Sequence, residues 1–218
     1  MVTHHPTPDL LSDYAAGMKD EPTSLLLATH LALCPTCRQE VNRDERIFGS
    51  MLESLEPEPL SDDALSRVMA ELEAEPTGSA LAESKTPASE GAPLLPQPLR
   101  GYLGEQLTDR LWRGRGALSI IELLENFPGV KTRMLRIGAG AAMPRHSHHG
   151  SELTLVLAGG FADASGHYVR GDVAIADPSV DHQPVADAGE DCICLAVTDA
   201  PLRLTGPIGR VVNPLFRF

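Results

Sequence analysis

The sequence predicts an α + β multidomain protein, in which a four-helix module precedes a barrel of short β-strands. Up to about residue 75, apolar residues recur at helical spacing. After about residue 99 the pattern changes to short β-branched and apolar segments separated by Gly and Pro, which is typical of a sandwich or barrel. Between them, residues 76–98 contain five prolines mixed with Gly, Ser, Ala and Glu, as in a linker. We therefore place the domains at residues 1–75 and 99–218.

Two short helices are predicted at the start of the first domain. Thr7 suits a helix cap, Pro8 suits the first helical position and Gly17 suits the exit, so a helix is expected over residues 8–16. A second helix is expected from about Thr23 to Leu33, where apolar residues again dominate.

Two further helices follow in the same domain. The third is expected to begin after Cys37, and Pro57 ends it. Ser61 suits the cap of the fourth. The apolar residues of the fourth helix follow the i, i+3, i+4, i+7 pattern, which places them on one face. This apolar face consists of Leu65, Val68, Met69 and Leu72.

The second domain is predicted to be built from short strands. Several segments of five to seven residues are rich in Val, Ile, Leu and other strand formers, and turn residues separate them. The predicted strands span residues 119–124, 131–137, 153–157, 172–176 and 192–197.

The net charge of the chain is −12, and most of it belongs to the first domain. Residues 1–75 contain 15 Asp and Glu against 5 Lys and Arg, a net charge of −10. An acidic surface is repelled by nucleic acid and attracted to a basic partner protein. We therefore expect no direct nucleic-acid binding, although a solvated helical surface would give the same composition.

The sequence carries no membrane or secretion signal. No apolar run approaches the roughly 18 residues of a membrane span, and the N-terminus lacks the basic and apolar blocks of a signal peptide. We therefore expect a cytoplasmic protein without membrane contact. In that compartment Cys34 and Cys37 are expected to bind metal, and not to form part of a disulfide framework. Cys192 and Cys194 share a strand face in an apolar segment, so packing is expected for them.

A metal-binding pattern lies at the junction of the second and third helices. Cys34 and Cys37 are separated by two residues, so their thiolates can bind one ion at about 2.3 Å. His30 lies one helical turn before Cys34 and projects toward the same point. Zinc in a structural site takes four ligands, and the fourth could be His4 or His5. A small helical domain with a thin core gains stability from such an ion.

A redox pair is the alternative interpretation of these two cysteines. Redox Cys-x-x-Cys pairs usually open a helix that follows a strand, and no strand is predicted before Cys34. In this alternative, Cys34 and Cys37 form a redox switch and the second domain is merely structural.

A second metal-binding pattern lies in the strand-rich domain: Gly140-x5-His146-x-His148-x3-Glu152-x6-Gly159. Two histidines two residues apart on a strand point to the same face. His182 follows 30 residues after Glu152 and completes a set of four candidate ligands.

This spacing resembles the two sequence motifs of the cupin superfamily, whose fold is a double-stranded β-helix or jelly-roll barrel. The first motif matches at every fixed position. In the second, Gly171 and His182 keep their separation, but Asp177, Ser179 and Ala186 stand where Pro, Gly and Asn are usual. A cupin barrel that has lost its metal is the alternative interpretation.

The order of these features resembles the ChrR family of zinc-binding anti-sigma factors over nearly the whole chain. The stretches that carry the resemblance are Leu11-Ser-Asp-Tyr-Ala-Ala-Gly17, Ala28-Thr-His-Leu-Ala-Leu-Cys34, Glu152-Leu-Thr-Leu-Val-Leu157, Asp191-Cys-Ile-Cys-Leu-Ala196 and Asp199-Ala-Pro-Leu-Arg203. The resemblance implies two zinc sites, of which the cupin site could hold another divalent metal. The implied ligands are His5, His30, Cys34 and Cys37 in the first site, and His146, His148, Glu152 and His182 in the second.

The resemblance also implies a function. Members of this family bind an extracytoplasmic-function sigma factor through the N-terminal domain and keep it from RNA polymerase. An oxidative signal, such as singlet oxygen, releases the sigma factor, and the cupin domain is implicated in that response. The polymerase- and DNA-facing surfaces of a sigma factor are basic, so an acidic capturing domain suits this partner. The apolar face of the fourth helix is expected to contact it.

The main alternative function is that of an enzyme. Cupin metal sites with three His and one Glu can hold iron or manganese and activate oxygen. The chain could then be a dioxygenase or isomerase fused to a zinc-binding adaptor. No further acid–base pair can be placed beside the metal from the sequence, so we predict no catalytic residue and do not expect an enzyme.

Overall fold

The computed structural model describes residues 1–74 and 95–205, which form five α-helices, a 3-10 helix and twelve β-strands. The helices are α1 (Pro8–Ala15), α2 (Glu21–Leu33), α3 (Pro35–Glu53), α4 (Ala64–Glu73) and α5 (Gln97–Leu103), and the 3-10 helix spans Asp109–Leu111. The strands are β1 (Arg113–Arg115), β2 (Leu118–Leu123), β3 (Lys131–Ile137), β4 (His146–His148), β5 (Glu152–Ala158), β6 (Gly160–Asp163), β7 (Gly166–Val169), β8 (Val173–Ala176), β9 (Asp181–His182), β10 (Val185–Ala186), β11 (Cys192–Thr198) and β12 (Leu202–Leu204).

Side-chain caps define the starts of α1 and α2. The Thr7 side chain accepts a hydrogen bond from the N–H of Leu10, as the sequence predicts. The Asp20 side chain accepts one from the N–H of Thr23, so α2 begins at Glu21, two residues before its predicted start. Each cap satisfies a backbone N–H that has no partner within its helix.

The third helix begins earlier than expected, and the fourth begins later. α3 starts at Pro35, directly after Cys34, so that Cys37 lies within its first turn. Proline is favourable at this position because its missing N–H would be unpaired in any case. α4 starts at Ala64, with Asp63 and not Ser61 at the cap position.

The second helix lies at the centre of the molecule. It packs against three other helices, α1, α3 and α5, and against strands β5 and β11 of the barrel. A helix that is apolar all round belongs to a core. The buried residues of α2 are Pro22, Leu25, Leu26, Leu27, Thr29, His30 and Leu31.

The second domain consists of one six-stranded sheet and two three-stranded sheets within the described residues. The strand orders are β1-β2-β3-β11-β5-β8, β10-β6-β7 and β12-β4-β9, and all pairs are antiparallel. All five strands predicted from the sequence belong to the large sheet. Of the strands in the two small sheets, which have only two to four residues, the sequence anticipated β4 alone, as the strand that carries His146 and His148.

The two domains share one apolar core. Leu11 and Leu26 of the helical domain belong to the same cluster of buried side chains as Met134, Leu155 and Leu195 of the barrel. The helical domain is therefore packed onto the barrel and not merely tethered to it.

The end of the predicted linker also belongs to this core. Leu95 and Leu99 are buried, and α5 begins at Gln97 and packs against α2. The Pro-rich composition hides this segment, because Pro96 and Pro98 stand between its two buried leucines and mask their helical spacing. Residues 76–94 of the predicted linker lie outside the described residues. Within residues 1–74 and 95–205, no helix is long and apolar enough to cross a membrane.

Candidate metal centres

Four potential metal ligands meet where α2 ends and α3 begins. One donor atom from each of His5, His30, Cys34 and Cys37 lies within 4.8 Å of all the others. The Nδ1 atom of His5 is 3.4 Å from Cys34 Sγ and 3.3 Å from Cys37 Sγ. Imidazole and thiolate are the ligands that zinc prefers in structural sites.

The local fold explains this convergence. His30 lies in the last turn of α2, Cys34 separates the two helices, and Cys37 lies in the first turn of α3. Since Pro35 restarts the helix at once, the two thiols and the imidazole point to one side of the junction. His5 arrives from the segment that precedes α1.

The chemical state of these donors fits a divalent cation. His30 Nδ1 lies 2.8 Å from the carbonyl oxygen of Gly171, so its N–H donates there. The opposite nitrogen, Nε2, is buried and has no hydrogen-bond partner among the described residues. Burial lowers the pKa of His30, which favours the neutral imidazole that binds metals.

The Cys37 thiol of the same cluster needs a cation to ionise. Burial, together with the neighbouring Cys34 thiol, raises the pKa of Cys37 to about 12. A thiolate in such a site is unfavourable unless a positive charge offsets it. All four cysteines are free, so neither pair forms a disulfide in this structure.

The structure brings His5, and not His4, to the first cluster. His4 instead places its Nδ1 3.3 Å from an oxygen of Asp172, and its ring lies 4.5 Å from that of Tyr168. The sequence could not separate the two neighbours, because only the path of the chain across the barrel decides which one faces the thiols.

Three histidines meet at a second point, inside the barrel. His146 and His148 lie on β4, and His182 lies on the adjacent β9 opposite His146. The Nε2 atom of His182 is 3.1 Å from the Nε2 atoms of both other histidines. All three residues are 5% to 8% exposed. These three ring nitrogens therefore form a compact set of donors on the end of one small sheet.

The electrostatics at His146 and His148 favour neutral imidazoles. Burial, reinforced by the other two histidines, lowers the pKa of His148 to about 4. Burial also lowers the pKa of His146. Neutral rings keep lone pairs available for a cation, which suits a site with several histidine ligands.

Glu152, the fourth predicted ligand, lies beside the triad and outside the set of donors that converge. It begins β5, and its Oε2 is 3.9 Å from Nδ1 of His148, the ring nitrogen on the far side from the contact with His182. Its other oxygen accepts a hydrogen bond from the Thr154 hydroxyl at 3.2 Å. Burial raises the pKa of Glu152, so its carboxylate needs a cation nearby to stay ionised at little cost.

Asp163 is a candidate positioning residue that sequence reasoning missed. Its carboxylate oxygen lies 2.6 Å from Nδ1 of His182, and both side chains are buried. A carboxylate in this position fixes the ring orientation and keeps the other nitrogen free for a metal. The carbonyl oxygen of Pro144 plays the same part for His146 at 2.8 Å. Asp163 lies on β6, 19 residues from its partner, and no motif marks it.

The predicted partner-binding face lies open on the surface. Leu65, Val68, Met69 and Leu72 are 74%, 53%, 46% and 72% exposed, and α4 contains no buried residue. Large apolar side chains at and just beyond the end of the preceding helix, Met51, Leu52 and Leu55, are also exposed.

The chain is similar to a curated anti-sigma factor over almost its whole length. It is 41% identical over 216 residues, which is 99% of each chain, to the anti-sigma-E factor ChrR of Cereibacter sphaeroides. A family model described as the ChrR cupin-like domain matches residues 111–201.

Solved structures agree with this similarity. A chain in the crystal structure of Rhodobacter sphaeroides SigE in complex with the anti-sigma ChrR superposes with a TM-score of 0.75 at 39% identity, covering 91% of this chain and all of that one. An RmlC-like cupin protein from Ralstonia eutropha reaches a TM-score of 0.40 at 20% identity, covering 44% of this chain and 68% of that one. A similarity as low as the second supports no functional argument.

Proposed function

Since this chain belongs to the ChrR family of anti-sigma factors, we propose that it binds an extracytoplasmic-function sigma factor and keeps it from RNA polymerase. The similarity to an anti-sigma factor extends over 99% of the chain and so includes the helical domain as well as the cupin. Capture is assigned to the helical domain, because that domain is acidic and a sigma factor presents basic surfaces.

The observation that carries this proposal is the exposed apolar face of α4. Its four large apolar side chains are roughly half to three-quarters exposed, on a helix with no buried residue. Contiguous exposed apolar patches on proteins mark interaction sites. A helix with one apolar face can insert that face into a groove of a partner, and the net charge of −10 over residues 1–75 favours a basic one.

At the first metal centre the proposed ion is zinc, held by His5, His30, Cys34 and Cys37. Two thiolates and two imidazoles complete a tetrahedral set, as in sites that serve structure and not catalysis. When bound, the ion links three parts of the helical domain. His5 holds the N-terminal segment, His30 holds the end of α2, and the cysteines hold the start of α3.

The second metal centre is proposed to hold zinc or another divalent metal in the cupin domain. His146, His148 and His182 supply the nitrogens, and Glu152 is the candidate fourth ligand beside His148. Within this centre Asp163 orients His182 through the hydrogen bond to Nδ1.

Release of the sigma factor is proposed to follow an oxidative signal of the singlet-oxygen type, with the cupin domain needed for the response. Family membership supports this assignment, as does a second metal centre in a domain other than the one that carries the α4 face.

Co-expression with the sigma factors encoded by neighbouring genes tests capture. We expect one of them to co-purify with the chain in equal amounts, and the purified complex to contain zinc. Recovery of the folded, metal-loaded chain without any of these sigma factors would contradict the proposal. Iron in the cupin centre, together with oxygen consumption, would support an enzyme instead.

A reporter gene controlled by the sigma factor tests release. His182→Ala should leave the complex intact but keep the reporter silent under singlet-oxygen stress. His167→Ala is the matched control, because this exposed histidine pairs with Asp187 and lies outside the triad. A reporter that stays inducible in His182→Ala would leave the cupin centre with no part in release.

A further inference from the structure

The turn between β7 and β8 of the cupin domain contacts the first metal centre from outside the helical domain. It runs from Val169 to Val173 and contains Gly171 and Asp172. Its backbone and one buried carboxylate contact both the segment that carries His5 and the helix that carries His30. One candidate ligand, His30, and the residue that precedes another, His5, therefore have hydrogen-bond partners in the other domain.

Asp172 clamps the N-terminal segment to the cupin. One of its oxygens accepts hydrogen bonds from the N–H groups of Thr3 at 2.7 Å and His4 at 3.0 Å. The N–H of Val173 in turn donates to the carbonyl oxygen of His4 at 3.0 Å. Asp172 is completely buried, and a buried carboxylate that accepts several N–H bonds holds them firmly. The residue immediately before His5 is thus fixed through both its N–H and its carbonyl group.

Gly171 fixes the other histidine. Its carbonyl oxygen accepts the Nδ1–H of His30 at 2.8 Å, which orients the ring and leaves Nε2 unpartnered toward the cluster. The approach is so close that a side chain would not fit. A Cβ at Gly171 would lie 2.6 Å from a methyl carbon of Val2, at a backbone φ of +93° that L-residues rarely adopt.

We propose that this cupin turn is a positioning element for the first metal centre, with Asp172 as its positioning residue. The proposal rests on the metal assigned to that centre under the proposed function. It adds that the metal affinity of the helical domain is set in part by the cupin domain. His5 and His30 are oriented from across the domain boundary. A chain in which the turn loses its hydrogen bonds to His30 and to the N-terminal segment therefore binds the metal less tightly.

The coupling acts in both directions. If docking of the turn raises the affinity of the first centre for its metal, bound metal must stabilise the docked arrangement by the same factor. Any change in the cupin that displaces the turn would then reach the thiolate site without direct contact between the two metal centres.

Cobalt-loaded full-length chain provides a specific readout. A thiolate-to-cobalt charge-transfer band reports the first centre alone, because the second candidate centre has no cysteine among its ligands. Loss of this band in excess chelator gives the release rate at the first centre. The chelator captures cobalt from both centres. Subtracting the first-centre release from this total gives the release rate at the second centre, which is the internal reference.

Two variants test the turn from its two sides. Asp172→Asn removes the charge that accepts the N-terminal N–H groups, and Thr3→Pro removes two donors to Asp172, the N–H and the hydroxyl of Thr3, while leaving the turn itself unaltered. Each should speed cobalt release from the first centre by roughly tenfold to a hundredfold, as expected for the loss of an outer-shell partner, and leave the second centre unchanged.

Matched controls separate this effect from general loosening. Thr3→Ser keeps both the backbone N–H and the hydroxyl that donates to Asp172, and Asp191→Asn alters another turn carboxylate, which accepts the N–H of Ala139 away from the N-terminal segment. Both should release cobalt at the wild-type rate. If Asp172→Asn fails to fold, Thr3→Pro decides alone.

Unchanged release from folded Thr3→Pro would overturn the inference and leave the proposed function standing. Equal acceleration at both centres would also overturn it, because that outcome reports loss of structure and not positioning. A wild-type chain that shows no thiolate band would instead overturn the assigned metal centre and, with it, this inference.

Discussion

Cys34 is the residue on which the helical domain depends most, because it ends α2, precedes α3 and supplies a thiol to the first centre. A structural zinc contributes on the order of 10 kcal/mol, which is comparable to the whole stability of a small domain. Cys34→Ala should therefore lose the first metal, much of the helical circular dichroism signal and sigma-factor binding together.

Cys192→Ala is the matched control for that variant. It removes a buried thiol from β11, far along the chain from the first centre, and should cost about 1 kcal/mol while retaining the metal. Full helicity and sigma-factor binding in metal-free Cys34→Ala would contradict a structural role for the ion.

Asp163 offers a second test at the residue scale. Asp163→Asn weakens the hydrogen bond that orients His182, and should lower the metal affinity of the cupin centre by roughly tenfold to a hundredfold. Competition with a chelator measures this affinity. Asp187→Asn disturbs a similar Asp–His pair, the one with exposed His167 at 2.8 Å, and should leave the affinity unaltered. Equal losses in both variants would show that the effect is not specific to Asp163.

Residue spacing predicted the donors that converge but not the groups that orient them. His30, Cys34 and Cys37 lie within eight positions, so the local junction of α2 and α3 brings them together. Asp163 and Asp172 act on residues 19 and 168 positions away. Such contacts depend on how strands pair and domains dock, which local sequence patterns do not encode.

Among the elements, α4 carries the capture hypothesis. Val68→Glu places a charge in the centre of its apolar face, and should weaken sigma-factor binding roughly tenfold or more. The melting temperature should stay the same, because no residue of α4 is buried. Binding can be measured by titration calorimetry with the purified sigma factor.

Ala70→Glu is the control for Val68→Glu, since it adds the same charge on the opposite, exposed face of α4. It should bind as the wild type does. If both variants bind equally well, the α4 face is not the capture surface. If both fail, the added charge and not the lost apolar contact is responsible.

Element prediction succeeded where the pattern was long and failed where elements were short. The five predicted strands together with β1 make up the large sheet, whose central members have six or seven residues. The strands that carry the cupin histidines have three and two residues, too few to show a period. α5 was hidden in Pro-rich sequence, because its structure depends on packing of Leu95 and Leu99 and not on local propensity.

For the whole molecule, the sequence suggested two loosely tethered domains, and the structure shows one shared core. Most of α2 is buried because the barrel and α5 cover much of what α1 and α3 leave open. A helix with no polar face could have indicated this, since a small module of four helices cannot bury it alone.

A fragment of residues 1–85 tests this shared core. It retains the α4 face and all four first-centre donors, so it should still bind the sigma factor. It lacks the barrel that covers α2, and it lacks the β7–β8 turn. Its helices should therefore melt at a lower temperature than those of the full chain, and its first centre should lose cobalt faster. A fragment that binds nothing while the full chain binds would place the capture surface elsewhere. If the helices of the fragment melt at the same temperature as those of the full chain, the shared core does not contribute to the stability of the helical domain.

Transcription in vitro tests the central claim most directly. Core RNA polymerase, the co-purifying sigma factor and a promoter that it recognises are combined with increasing amounts of the metal-loaded chain. We expect transcription to fall to background at an equimolar ratio of chain to sigma factor, and to persist when Val68→Glu replaces the wild type. Full transcription in the presence of excess wild-type chain would contradict the assignment of this protein as an anti-sigma factor.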